Sequence, residues 1–402
     1  MELEEIYKRV HFLVERLTPE LITHRRELHK IPEIAHQEFK TSTYIANTLK
    51  EFGITPRTGV AGTGLTAEFQ GSGQGSVGFR CDIDGLPIVE ETGLDFASIH
   101  PGKMHACGHD AHTAIGIGIA RVLQELQEEL PGRVRILFQP AEETQPGGAM
   151  DMIKDGAIEG LDAIFSLHVD PAIDAGHIGV KFGPHLASVD IFEIQIIGNM
   201  GHAAHPHLSV DAVLVAAKVV TAMHSIPSRR VDPLHQIVIT ISTIHGGEAK
   251  NVMPEIVTLG GTIRTLDEQV RREIPEIMRQ IIGGITSAFD ARYKMDIING
   301  APVLYNDFKC SSIIMQTAQN ILGYANAYEL PSPRMGSEDF SNYLTHIPGA
   351  MARLGIKTPG REVLPLHTPS FQLDEKAIPL GIEIFVMTLF EYLLQKNTGE
   401  QA

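Results

Sequence analysis

The chain has 402 residues, 43% of them hydrophobic and 20% charged, with a formal net charge of −16. That length exceeds one ordinary single-core domain and fits two, and the composition permits a large core and argues against disorder. The acidic balance argues against nucleic-acid binding, which needs clustered Lys and Arg, and Cys81, Cys107 and Cys310 are too sparse for a disulfide framework, so a reducing, cytoplasmic setting is expected.

Residues 1–17 are charged and carry helix-spaced Leu3, Ile6, Val10 and Leu13, without the apolar core and cleavage site of a signal peptide. No run of about 18 apolar residues stands out, so no membrane contact is expected. Helical patterns over 3–31 and 40–52 are followed by strand-like runs at 64–69, 76–81, 134–139 and 162–168, with a helical pattern over 113–130. This alternation predicts an α/β sheet covered on both faces. A second unit begins near Pro184. Strand patterns at 189–197, 236–244, 257–265 and 294–298 alternate with helices at 210–226 and 268–289. The βαββαβ order suits a ferredoxin-like sheet with two helices on one face. Pro275 predicts a break or kink in the second helix, since interior proline costs about 3 kcal/mol. From about 300 the first pattern resumes, with a helix at 311–322, a strand at 350–354 and a helix at 376–395. The chain therefore reads as domain 1–184, inserted domain 185–298, and a return to the first domain over 299–402.

Five places in the first domain carry side chains suited to metals. They are Cys81-Asp82-Ile83-Asp84-Gly85, His105-Ala106-Cys107-Gly108-His109-Asp110, Gln139-Pro140-Ala141-Glu142-Glu143, Ser166-Leu167-His168-Val169 and Pro365-Leu366-His367-Thr368-Pro369. At least three lie at the ends of strand-like runs, where open α/β sheets gather ligands. Taken singly, each has a plain alternative. Cys107 and His109 read equally as a buried thiol and a turn imidazole, Glu142 and Glu143 as a solvated acidic turn, and His168 as a hydrogen-bonded core residue. Together, and with His105, Asp110 and His112 crowding the second motif, they rarely pack as plain core. Adjacent glutamates after a strand point to opposite sides if the strand continues, so one could ligate a metal while the other faces a substrate. Metal-assisted hydrolysis needs that division, because a nearby carboxylate takes the proton of the attacking water.

These residues resemble the M20 metallopeptidase family, in its aminoacylase, hippurate-hydrolase and auxin-conjugate-hydrolase branch (subfamily D). The resemblance runs from Arg25-Arg26-Glu27-Leu28-His29 to Leu366-His367-Thr368-Pro369-Ser370-Phe371. It includes Asp82-Ile83-Asp84-Gly85-Leu86-Pro87, Gly201-His202-Ala203-Ala204, Gly261-Thr262-Ile263-Arg264 and Gly336-Ser337-Glu338-Asp339-Phe340. It implies a zinc-peptidase-like catalytic domain with a central mixed sheet, interrupted by a ferredoxin-like lid and dimerisation domain. It also implies a metal-dependent amidohydrolase that releases free amino acids from small N-acyl amino acids, with a dipeptidase or carboxypeptidase, or a catalytically silent relative, as the alternatives. Cys107, His109, Glu143, His168 and His367 would hold two divalent ions, zinc, cobalt, nickel or manganese by donor chemistry. Glu142 would be general base and acid, and Asp84 a residue that orients the ligands. His202 would stabilise the oxyanion, in its own or a partner subunit's site. Asn251, Arg264 and Gly336 would hold the substrate, Arg264 through its bidentate fork. A homodimer is expected. Cys81, Gly85, Met200 and His205 depart from the commonest residues of this branch, and His205 leaves the choice of acyl group and amino acid open.

Overall fold

The computed structural model describes residues 3–398. The chain divides into two compact units, one formed by residues up to 183, 305–332 and from 339 on, the other by 184–304 and 333–338. The second unit thus takes in Pro184, 299–304 and 333–338, which the sequence reading leaves with the first. Backbone bonds give the reason: Val189 and Ala301 (3.0 Å), Gly300 and Val189 (3.0 Å) and Ala187 and Gly336 (2.9 Å) pair N–H to carbonyl.

The first unit is built on an eight-stranded mixed sheet. Its order is Arg57–Val60, Gly64–Gln70, Arg133–Gln139, Ser76–Asp82, Ala163–Asp174, Gly349–Lys357, Ile178–Val180, Ala327–Glu329. The four central strands run parallel. Asp82 pairs with Gln139, and Arg80 with both Leu137 and Ser166. Two strands therefore end side by side at the level of His168, while their neighbour continues to Asp174.

The helix Leu3–Lys30 buries Ile6, Val10, Leu13, Val14, Leu17, Leu21 and Leu28 at helical spacing, and its acidic first turn and basic last turn complement the helix dipole. It packs with His109–Glu125 and Ala377–Thr398, and Phe308–Leu322 packs with the last of these. By length and hydropathy Ala377–Thr398 could cross a membrane, a feature the charge-interrupted sequence conceals, yet 83% of its apolar window is buried within the protein. It reads as a core helix. The helix expected over 113–130 instead starts at His109 and ends at Glu125, followed by a short turn over Gln127–Glu129.

The second unit has the strand order Ile237–His245, Ile256–Thr265, Ser188–Ile197, Arg292–Asn299, with all neighbours antiparallel. That is the ferredoxin-like arrangement. Its helices Ala212–Met223 and Glu268–Ala288 are capped by Asp211 and Asp267 side chains. They share a core of their own, in which Val215, Val219, Ile274 and Met278 meet Phe192, Ile194 and Leu259. The break expected at Pro275 does not occur, and one helix runs from Glu268 to Ala288. Burial of Val270, Ile274, Met278 and Ile282 along one continuous face offsets the lost backbone bond.

Candidate active site

The five ligand-type side chains of the first unit converge at the ends of its central strands. Gly108 has φ 85°, a left-handed conformation that turns the chain sharply between Cys107 and His109. A Cβ there would also meet Val169 Cγ2 at 2.6 Å, so glycine is required. His109 is the first residue of its helix, and Cys107 lies just before the turn. His367 arrives on a loop whose backbone N–H donates to the Ala106 carbonyl (2.8 Å). Its Nε2 lies 3.2 Å from Cys107 Sγ and 3.1 Å from Glu143 Oε1. His168 Nε2 lies 3.5 Å from Cys107 Sγ.

The two glutamates do not point to opposite sides. The strand Arg133–Gln139 ends, Ala141 adopts φ 56°, and the chain turns. One nitrogen of His109 and one oxygen each of Glu142 and Glu143 consequently lie within 4.8 Å of one another.

Neighbouring groups fix the ring orientations. His168 Nδ1 donates to the Val169 carbonyl (2.7 Å), leaving Nε2 toward Cys107. His109 Nδ1 lies 3.0 Å from the Asp84 carbonyl and 3.1 Å from Asp84 Oδ1, leaving Nε2 toward Glu143. Asp84 Oδ2 accepts the Glu143 N–H at 3.0 Å. Behind them lies a chain of buried polar groups absent from the sequence-based assignment. Arg80 donates to Asp82 Oδ2, Gln139 Oε1 and Asp339 Oδ1, each at 2.8 Å. His112 Nδ1 meets Asp82 Oδ1 at 2.6 Å, and its Nε2 accepts the Val169 N–H at 3.0 Å. His112, Asp82 and Asp339 lie in motifs that the sequence singles out, without a role assigned to them; Arg80 gives no local signal. His105, in the same motif, is buried and belongs to none of the clustered donor groups, and burial pushes its ring down to about 4.

The electrostatics suit a divalent cation. Burial and the Glu143 charge push the Cys107 thiol up. Burial opposes a charged His109, but Asp82 and Cys107 overcome it and hold that ring well above its ordinary value. Burial, with Arg353, holds His168 well below. Cys107 and Glu143 hold His367 up at about 10. Nε2 of His109 is buried and makes no hydrogen bond, a cost that a cation beside it would remove. One thiolate, three imidazoles and a carboxylate form a donor set that fits such ions.

The remaining predicted residues belong to the second unit. His202 is exposed and lies on a two-residue strand paired with Val252, beside Asn251, whose carbonyl accepts the Ala203 N–H (3.0 Å). His202 Nδ1 accepts the Ala204 N–H at 3.0 Å. Arg264 lies on the strand Ile256–Thr265 and donates to the Met335 carbonyl (3.0 Å), next to Gly336. The four residues thus fall in two places within this unit, His202 near Asn251 and Arg264 bonded to the residue before Gly336.

Residues 78–391 match the model of peptidase family M20/M25/M40. The chain belongs to this family. It is 41% identical over 383 residues to the N-acetyl-L-cysteine deacetylase of Bacillus subtilis (strain 168), across 95% of this chain and 90% of that protein. It is also 41% identical over 297 residues to the N-acyl-L-amino acid amidohydrolase of Geobacillus stearothermophilus, across 73% of this chain and 80% of that one. Among solved structures it is similar to a dinuclear metal binding peptidase of the M20 family from Bacillus subtilis, with TM-score 0.83 and 34% identity over 94% of this chain and 99% of that chain. The chain is a hydrolase acting on amide bonds.

Proposed function

We propose that the chain is a two-metal N-acyl amino acid amidohydrolase, releasing a free amino acid and a carboxylic acid. The observation that carries this reading is the position of the Glu142 carboxylate, within 4.8 Å of donor atoms on both His109 and Glu143. Cys107, His109, Glu143, His168 and His367 would hold two divalent ions, which when bound lower the proton affinity of an attacking water and polarise the scissile carbonyl. Glu142 takes the proton from that water and delivers it to the departing amine nitrogen as the C–N bond breaks. Asp84 keeps the His109 ring and the Glu143 backbone in register with each other. From the second unit, which acts as a lid and dimerisation domain, His202 donates to the developing oxyanion. Arg264, Asn251 and Gly336 receive the substrate carboxylate. The substrate class is supported by the two relatives that act on N-acetyl-L-cysteine and N-acyl-L-amino acids by name. Three free, buried cysteines fit a cytoplasmic enzyme.

Hydrolysis of a panel of N-acetyl and N-benzoyl amino acids tests this reading, with chelated enzyme and with Mn, Co, Ni or Zn restored. Metal-dependent release of the free amino acid is expected. No release from folded protein holding two ions would overturn it.

A further inference from the structure

The turn that presents Glu142 and Glu143 is held in an unfavourable conformation. Ala141 has φ 56° without being glycine, and so does not rest there unaided. Its two peptide groups are both tied. The Ala141 carbonyl accepts the Gly148 N–H at 2.9 Å. The Ala141 N–H donates to Oε1 of Glu38, 103 residues earlier, also at 2.9 Å. The same Glu38 oxygen accepts the N–H of His36 (3.0 Å), a second non-glycine residue at positive φ, 63°. The other carboxylate oxygen, Oε2, accepts the Thr63 hydroxyl at 2.6 Å. Glu38 is fully buried, so its oxygens are shielded from bulk solvent. The segment that carries it also reaches the Asp84 turn: the Glu33 carbonyl accepts the Gly85 N–H at 2.7 Å, and Ile34 bridges to Gly85. One short stretch, 33–38, therefore grips both acidic turns of the site, one by its backbone and one by a buried side chain.

We infer that Glu38 is a positioning residue for the amide hydrolysis, whose carboxylate locks the Ala141 peptide so that Glu142 faces its partners. Glu38 lies outside the clustered donor groups. It fixes the dihedral angles from which the Glu142 side chain departs, and an error of about 1 Å there can cost on the order of a hundredfold in rate. This inference rests on Glu142 acting as the base. The lock between Glu38 and Ala141 does not, so the two can fail separately.

The test is a double-mutant cycle of Glu38→Ala and Ala141→Gly, read by kcat, KM, bound metal and the thermal midpoint of the chelated protein. Glu38→Ala is expected to lower kcat by roughly ten- to a hundredfold with KM changed by less than about threefold and metal content unchanged. Glycine at 141 accepts positive φ without cost, so Ala141→Gly should recover about fivefold or more of kcat in the Glu38→Ala background. It should also raise the thermal midpoint more in that background than in the native one. Glu38→Gln, which keeps an acceptor oxygen, should stay within about threefold of native kcat. If Glu38→Ala does not fold, Glu38→Gln replaces it, and a folded Glu38→Gln with kcat down a hundredfold overturns the acceptor role. Additive thermal midpoints, or a kcat loss that Ala141→Gly leaves untouched, overturn the lock. A native enzyme with no amide hydrolysis would sink the functional reading, while the thermal cycle would still decide the lock.

Discussion

Asp84 holds His109 and the Glu143 backbone at once: Oδ1 lies 3.1 Å from the imidazole Nδ1, and Oδ2 accepts the Glu143 N–H at 3.0 Å. One carboxylate thus sets the angle between two proposed metal ligands. An amide in its place has one acceptor oxygen and one donor nitrogen, so it can satisfy only one of the two contacts. Asp84→Asn should weaken metal binding by about 10- to 100-fold. Competition with a fluorescent chelator measures this, and an unchanged affinity would show that Asp84 does not orient the ligands.

Glu142 shares the space of His109 and Glu143 without belonging to the proposed ligand set. Glu142→Gln keeps the shape of the side chain and removes its capacity to take a proton. Turnover should fall by about 10²- to 10⁴-fold with two metals still bound. Near-native turnover in the metal-loaded variant would mean that another group is the base.

The catalytic fold was legible where side chains are strongly typed. Long apolar strands such as Arg133–Gln139 and Gly349–Lys357, and the periodic face of Leu3–Lys30, announce themselves by burial pattern. The side chains that the motifs single out lie together in the first unit because His109 opens a helix, Glu142 and Glu143 follow a strand, His168 lies within one where its neighbours end, and His367 arrives on a loop. Other features depend on tertiary context. The strands Arg57–Val60, Ile178–Val180 and Ala327–Glu329, at or next to the sheet edges, are too short for a periodic signal. The first turn of the His109 helix has few apolar residues, and the tight fit at Gly108 fixes its start. Arg80 and Asp339 pair across 259 residues, which no local pattern encodes. The turn at Ala141, whose N–H donates to a distant buried carboxylate, brings an oxygen of each of Glu142 and Glu143 close to His109, where a continuing strand would part them.

Metal ions should stabilise the fold through the same side chains. Chelation should abolish turnover and lower the thermal midpoint, and free ion at 100 times Kd should return about 2.7 kcal/mol per site. His367 makes this separable from folding, since its side chain is half exposed. His367→Ala should remove a large part of the metal-dependent gain, each protein being compared with its own chelated form. Differential scanning calorimetry on both proteins, with and without metal, decides it. An equal metal-dependent gain in the variant would take His367 out of the ligand set.

Acid stability should depend on Glu90, which lies away from the proposed ligands. Its Oε1 is 3.1 Å from His29 Nε2 and its Oε2 accepts the Ser98 N–H at 2.7 Å, with the Thr92 hydroxyl also donating. Burial alone would raise this carboxyl, but His29, Thr92 and Ser98 outweigh it and hold Glu90 down at about 2. A carboxylate depressed on folding contributes stability in full above its unfolded value, near 4.5, and loses it as pH falls toward 2. Full linkage for that shift is roughly 3 kcal/mol, and partial solvent screening leaves about 1–2 kcal/mol. Chelated native protein should therefore exceed Glu90→Gln in unfolding free energy by that amount at pH 7, and the gap should close between about pH 4.5 and 2. Urea titrations across this range measure it. A gap that stays constant with pH would assign the difference to packing or hydrogen-bond geometry and not to the ionised carboxylate.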